Sequence, residues 1–189
     1  TFSILNSASG GGGNSPYEYQ WWFNNNTIGT VFIGNGLNHQ LVNLTESTKV
    51  WVETYSSYGC GPISSDTIFI HVFDELQSGN LMINDSICYG TNLGQIIFEN
   101  NPTGANNSYS YDWQSKPFGG SWNTAQNSSS TNNYIQDYNL YESMVYRVNV
   151  ISNEGCGSIL TPEFNLYVYE NFIPGSISSN HEICLGDSS

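Results

Sequence analysis

Residues 59–90 and residues 155–186 align without a gap at an offset of 96 residues. Gly59-Cys60-Gly61 falls on Gly155-Cys156-Gly157, and Ile87-Cys88 and Gly90 fall on Ile183-Cys184 and Gly186. Self-similarity at a fixed period marks an array in which one supersecondary plan recurs along the chain. The repeated segment is a seam. It holds the last loop and closing strand of one module, the joint DELQS, and the opening strand of the next. The expected division is therefore 1–77, a module lacking its first strand; 78–173, a complete module; and 174–189, the first strand of a third.

Within each module the apolar pattern has a period of two. Tyr17, Tyr19 and Trp21 alternate with Glu18, Gln20 and Trp22, and Tyr109, Tyr111 and Trp113 repeat that face. Such alternation signals half-buried strands. Trp22 has Gln114 as its counterpart, which places it outward. Val50, Val52 and Thr54 match Tyr146, Val148 and Val150 as an inward set, leaving Trp51, Glu53 and Tyr55 outward. Ile68, Ile70 and Val72 match Phe164, Leu166 and Val168 as core, with Phe69, His71 and Phe73 facing out or against a loop. Residues 24–42 and 116–138 differ in length and are rich in Asn and Gly, as surface loops tolerate. Gly34-Asn35-Gly36 reads there as a tight hairpin turn. No segment carries a helical period, so short strands between Gly and Asn turns point to an all-β sandwich in each module.

Charge narrows the function classes. The net charge is −13, with only Lys49, Lys116 and Arg147 positive. Such a chain repels phosphate backbones and anionic membrane surfaces, which argues against nucleic-acid binding and membrane insertion. Charged residues are 10% of the chain and aromatics 14%. Solubility then rests on Asn, Ser, Thr and Gly, which fits a secreted protein, and the aromatic content argues against disorder. No apolar run reaches the length of a membrane-spanning helix. The chain opens without a signal peptide and stops inside a repeat, so it reads as an internal fragment, and missing targeting signals carry no information.

The order I-C-x-G, apolar strand, Y-x-Y-x-W, polar middle, Y-R-V-x-V, G-C-G and closing strand resembles the Ig-like or PKD-like repeats of large secreted Bacteroidota proteins. The gliding-motility surface adhesins of the SprB type are their best-known group. The resemblance covers nearly the whole chain, although Trp51 stands where the second module has Arg147. It implies tandem sandwiches stacked in a stalk or filament of a cell-surface adhesin, exported by type IX secretion, with neighbouring repeats and surface polysaccharide as partners. It also implies O-glycosylation at Asp-Ser/Thr-apolar tripeptides, which Asp66-Thr67-Ile68 and Asp85-Ser86-Ile87 fit.

The chemistry-bearing residues are few. One copy per module of each cysteine class points to an intramodule disulfide, Cys88 to Cys156, with Cys60 and Cys184 pairing outside the fragment. Free thiols and a bridge from Cys60 to Cys88 across the joint are the alternatives. His39, His71 and His181 lie in different repeat contexts without metal-binding spacing, and no C-x-x-C occurs, so no zinc site is expected. No nucleophile elbow, P-loop or dinucleotide motif is present, and no singular carboxylate pair interrupts the repeat, so the expectation is a non-enzymatic chain without cofactor. Asp74, Glu75 and Glu170 near the joints offer oxygen ligands for calcium, but they read more simply as solvated linker charges. The outward aromatics Trp22, Trp51, Tyr55, Phe69 and Phe73 are candidates for a stacking platform for sugar rings, with amides of the Asn-rich loops as partners. The simpler reading is packing under loops or against a neighbouring module. A glycan-binding module of an adhesin or of a glycan-degrading enzyme is therefore the second function carried forward.

Overall fold

Large apolar and β-branched side chains at every second position produce strands with one buried face, and strands make up nearly all the regular structure. The computed structural model describes residues 1–11, 17–82, 86–129, 132–177, 182 and 184–186. Among these the chain is all-β, its sole helical piece a single 3-10 turn at Ala105–Asn107. It divides into two compact units, Thr1–Glu75 and Leu76–Ser189. The boundary after Glu75 lies two residues before the expected one after residue 77. Most of 178–189 lies outside the described residues, including His181 and Ile183.

The first unit contains β1 (Phe2–Ser3), β2 (Tyr17–Asn25), β3 (Gly29–Asn35), β4 (Asn38–His39), β5 (Thr48–Ser56), β6 (Ile63–Ser64) and β7 (Ile68–Ile70). The second contains β8 (Asn80–Met82), β9 (Ser86–Ile87), β10 (Thr91–Asn100), β11 (Tyr109–Pro117), β12 (Asn123–Ser129), β13 (Tyr134–Leu140), β14 (Met144–Ser152), β15 (Ser158–Leu160) and β16 (Phe164–Val168).

In the second unit two sheets enclose one core. The larger has the order β12-β11-β14-β16-β9, with β15 also on β14, and the smaller has the order β13-β10-β8. Tyr111, Trp113, Tyr146, Val148, Val150 and Leu166 of the first sheet meet Ile96, Phe98, Tyr134 and Leu140 of the second. Trp113 is fully buried between Phe98, at 6.0 Å, and Tyr134, stacked at 5.7 Å. Ring pairs of this kind add to the stabilisation that burial alone supplies. The second and last strands of the unit meet in the large sheet: β9 pairs in parallel with β16, Ser86 beside Tyr167 and Ile87 beside Val168.

The first unit repeats the larger sheet as β3-β2-β5-β6, with β7 also on β5. Tyr19, Trp21, Val50 and Val52 form its buried core. Among the described residues the opposing sheet consists of β1 and β4, so far fewer side chains are covered. Ile68, assigned by the sequence to the core, is consequently 50% exposed, and only Ile70 of that strand packs against the core. Its counterpart Phe164 packs on the second unit's core.

Two further expectations are corrected. Gly34-Asn35-Gly36 does not form a tight hairpin. The β2–β3 turn is at residues 26–28, and Gly36 lies where the chain passes from β3 to β4 in the other sheet. That crossing is pinned by the Trp21 indole donating to the Gly36 carbonyl at 2.8 Å and by the Gly36 N–H donating to the Tyr19 carbonyl at 3.0 Å. The segments 24–42 and 116–138 hold β3, β4, β12 and most of β13 rather than loops alone.

The Cys88–Cys156 disulfide is also absent. All four cysteines are exposed thiols. Register explains why: β16 passes the Met144 end of β14, and Cys88 follows Ile87 beside Val168, beyond that end. Cys156 lies in the turn after Ser152, at the opposite end of β14. The nine residues of β14 between them span roughly 25 Å at the usual strand rise. A disulfide needs Cα atoms within about 7 Å. One cysteine of each class per module says nothing about which end of the module each occupies.

Candidate functional site

The outer face of the first unit's sheet carries a row of aromatic rings built strand by strand. On β2 and β5, alternation turns Tyr19, Trp21, Val50 and Val52 inward and leaves Gln20, Trp22, Lys49, Trp51 and Glu53 outward. The antiparallel register sets Trp22 directly opposite Trp51. Directly opposed residues have Cβ atoms about 5 Å apart, within reach of each other. A register shift between Trp21 and Trp22 brings Phe32 of β3 opposite Trp22, with ring centroids 5.5 Å apart in an edge-to-face pair. On the other flank Phe69 of β7 faces Lys49, one step diagonally from Trp51. Phe32 and Phe69 are 44% and 47% exposed, so the row presents open rings at both edges and half-buried indoles in the middle.

Polar groups flank the row. The Tyr55 hydroxyl donates to a Glu53 carboxylate oxygen at 3.1 Å. Partial burial, then that bond and the carboxylate's charge, raise the Tyr55 hydroxyl above its ordinary pKa. On the far side the Asn24 amide donates to the Thr30 hydroxyl at 2.9 Å. The Trp22 indole N–H is shielded from solvent and has no acceptor. This face can stack flat apolar rings and offer carboxylate and amide groups at their edges.

The second unit fills the same place differently. Gln114 and Arg147 stand opposite each other where the first unit has Trp22 and Trp51. The Arg147 guanidinium donates to the Gln114 side-chain oxygen at 2.7 Å and lies 3.8 Å from the centre of the Trp122 ring. Lys116 approaches the same ring at 4.6 Å, and Glu163 lies 3.9 Å from both cations. Cation–π contact and ion pairing there satisfy the face internally.

The other candidates stay apart. His39 stacks on Trp21 at 6.3 Å, and His71 packs between Phe69 and Phe73. Among the described residues no three His, Cys, Asp or Glu side chains gather as a metal site. Asp74, Glu75 and Glu170 are all exposed. Thr67 is exposed between β6 and β7, whereas Ser86 is half-buried in β9 and accepts a hydrogen bond from the Tyr169 hydroxyl at 3.3 Å. Asp85 lies outside the described residues. Sequence reasoning did not single out Phe32 or Trp122. For Phe32 the signal was present, since T-V-F-I puts it out of phase with two β-branched neighbours.

Residues 77–170 match a family model described as a domain of unknown function, DUF8696. The match falls within the second unit and leaves the aromatic row of the first outside it. No curated protein matches the chain. No helix among the described residues is long and apolar enough to cross a membrane.

Proposed function

We propose that the chain is a non-enzymatic stretch of tandem Ig-like or PKD-like β-sandwich repeats in the stalk of a large adhesin on a bacterial surface. The observation that carries this reading is the recurrence, 92 to 96 residues apart, of one strand plan in both units: β2-β5-β7 in the first and β11-β14-β16 in the second. Such an array spaces a binding tip from the cell and bears load through its cores. Its partners are its own neighbouring repeats and surface polysaccharide. Thr67, exposed and preceded by Asp66, is better placed for O-glycosylation than Ser86.

A second reading, glycan binding by the first unit, rests on the Phe32–Trp22–Trp51–Phe69 row. Aromatic faces carry the stacking energy in recognition of flat rings, and neighbouring amides and carboxylates orient them. A glycan array on the whole chain separates the two readings. Binding that disappears in Trp51→Ala, with folding retained, assigns the face to sugar. An array without signal, together with a high unfolding force, leaves the spacer role alone.

A further inference from the structure

The outer faces of the two units differ in how they treat a cation. In the second unit Lys116 stands opposite Val145, and its ammonium and the Arg147 guanidinium share the Glu163 carboxylate at 3.9 Å. In the first unit the same rung is Asn24 opposite Lys49, so the cation sits on the neighbouring strand. At the offset of 96 residues, Thr67 stands where the second unit has Glu163. The first unit keeps the cation and lacks the carboxylate. Among the described residues both ion pairs belong to Glu163, and Lys49 has none.

Lys49 is exposed, and it is the one lysine or arginine of the first unit in a chain of net charge −13. Its surroundings are aromatic. Phe69, with its ring open to solvent, faces it across the β5–β7 ladder, and Trp51 lies two residues along β5 on the same face. His71 packs edge to face on Phe69 at 4.3 Å and steadies that ring. Beyond Trp51, Glu53 stands opposite Gln20 and accepts a hydrogen bond from the Tyr55 hydroxyl. Lys49 and Glu53 are thus on one face of one strand, roughly 13 Å apart at the usual rise, with Trp51 midway.

A pyranose ring laid on Trp51 and Phe69 directs its edges at these two ends. The ammonium favours a carboxylate at its end, while the Glu53 carboxylate favours hydroxyl donors and repels a second acid group. We propose that the row binds a polysaccharide containing hexuronic acid, with the uronate ring stacked on Trp51 and Phe69 and its carboxylate paired with Lys49. The ligand then supplies the counter-charge that Glu163 supplies within the second unit. The pairing also gives direction, because a ring turned end for end would set its carboxylate against Glu53. A polymer with an acid group on every ring would meet the acidic remainder of the chain, so the fit is to uronate rings set among neutral ones. This assignment rests on the glycan-binding reading above and names the sugar.

A matched pair of probes tests it. One is an oligosaccharide in which glucuronate and glucose alternate, and the other is the same oligosaccharide with its carboxyl groups reduced to hydroxymethyl. Calorimetric titration of the whole chain should show the acidic probe binding about tenfold tighter at low salt, a margin that shrinks as ionic strength rises. Lys49→Met keeps the apolar stem of an exposed side chain and should remove that margin, leaving the weaker binding of the reduced probe. Thr67→Glu, which restores the second unit's carboxylate, should do the same by pairing with Lys49 internally. Trp51→Ala should abolish binding of both probes. Equal affinity of the parent chain for the two probes, or a margin that persists in Lys49→Met, overturns the uronate assignment and leaves sugar stacking on this face intact. A parent chain that binds neither probe overturns both.

Discussion

Trp22 holds a position where packing and hydrogen bonding disagree. Its ring sits between Phe32 and Trp51, but its indole N–H is shielded and unpaired. A buried donor without an acceptor costs about 1–3 kcal/mol, comparable to what the larger ring gains over a phenyl. Trp22→Phe is therefore expected to change stability by less than about 1 kcal/mol, while Trp22→Ala, which deletes the ring, costs about 2 kcal/mol. Urea denaturation of the two variants checks this, and a loss from Trp22→Phe as large as from Trp22→Ala would show that the N–H has a partner. The replacement of Trp51 by Arg147 is the complementary case. In the second unit a guanidinium lies on Trp122 and is held by Gln114 and Glu163, so that face is already occupied by its own side chains.

At the scale of the element, β7 and β16 are the same strand in two settings. Leu166 of β16 is fully buried, while its counterpart Ile70 of β7 is only half-buried against the smaller core. Leu166→Ala should destabilise the second unit by about 2–5 kcal/mol, and Ile70→Ala should cost the first unit about 1–2 kcal/mol. Denaturant midpoints followed by fluorescence test the asymmetry, and equal losses would mean that the first unit is as well covered as the second. The strands legible in the sequence are those whose inward residues are large and apolar: Tyr19 and Trp21, Val50 and Val52, Tyr146 to Val150. Strands β3, β4, β12 and β13 were hidden because they lie in segments rich in Asn, Ser and Gly, a composition that mimics a loop. The Trp22–Trp51 pair was half legible. Alternation put both outward, but that they stand opposite each other, and that Phe32 joins them, depends on pairing between distant segments. The same limit explains the cysteines, since the end of a sandwich at which a residue lies is fixed by register and not by its neighbours in sequence.

At the scale of the molecule, the two units share a plan and differ in how much of the facing sheet the described residues supply. The family match follows that difference, falling within the unit whose core is enclosed by two sheets. The three cations are shared between the units' outer faces, Lys49 in one and Lys116 and Arg147 in the other. Elsewhere the charge is overwhelmingly acidic, which keeps such chains soluble and resists non-specific association.

The parallel pairing of β9 with β16 has a consequence for how the second unit yields to tension. The two strands run the same way, and the Tyr169 N–H continues the ladder to the Ile87 carbonyl at 2.9 Å. A pull applied through the two ends of the unit draws β9 toward its start and β16 toward its finish. The bonds between them are then sheared together and do not peel apart one after another. β7 has no such parallel partner among the described residues. In a constant-velocity stretching experiment the first unit should rupture at lower force than the second. Tyr169→Pro, which deletes the donor to the Ile87 carbonyl while leaving Leu166 in the core, should lower the second force toward the first. Equal rupture forces in the parent chain would rule the shear clamp out.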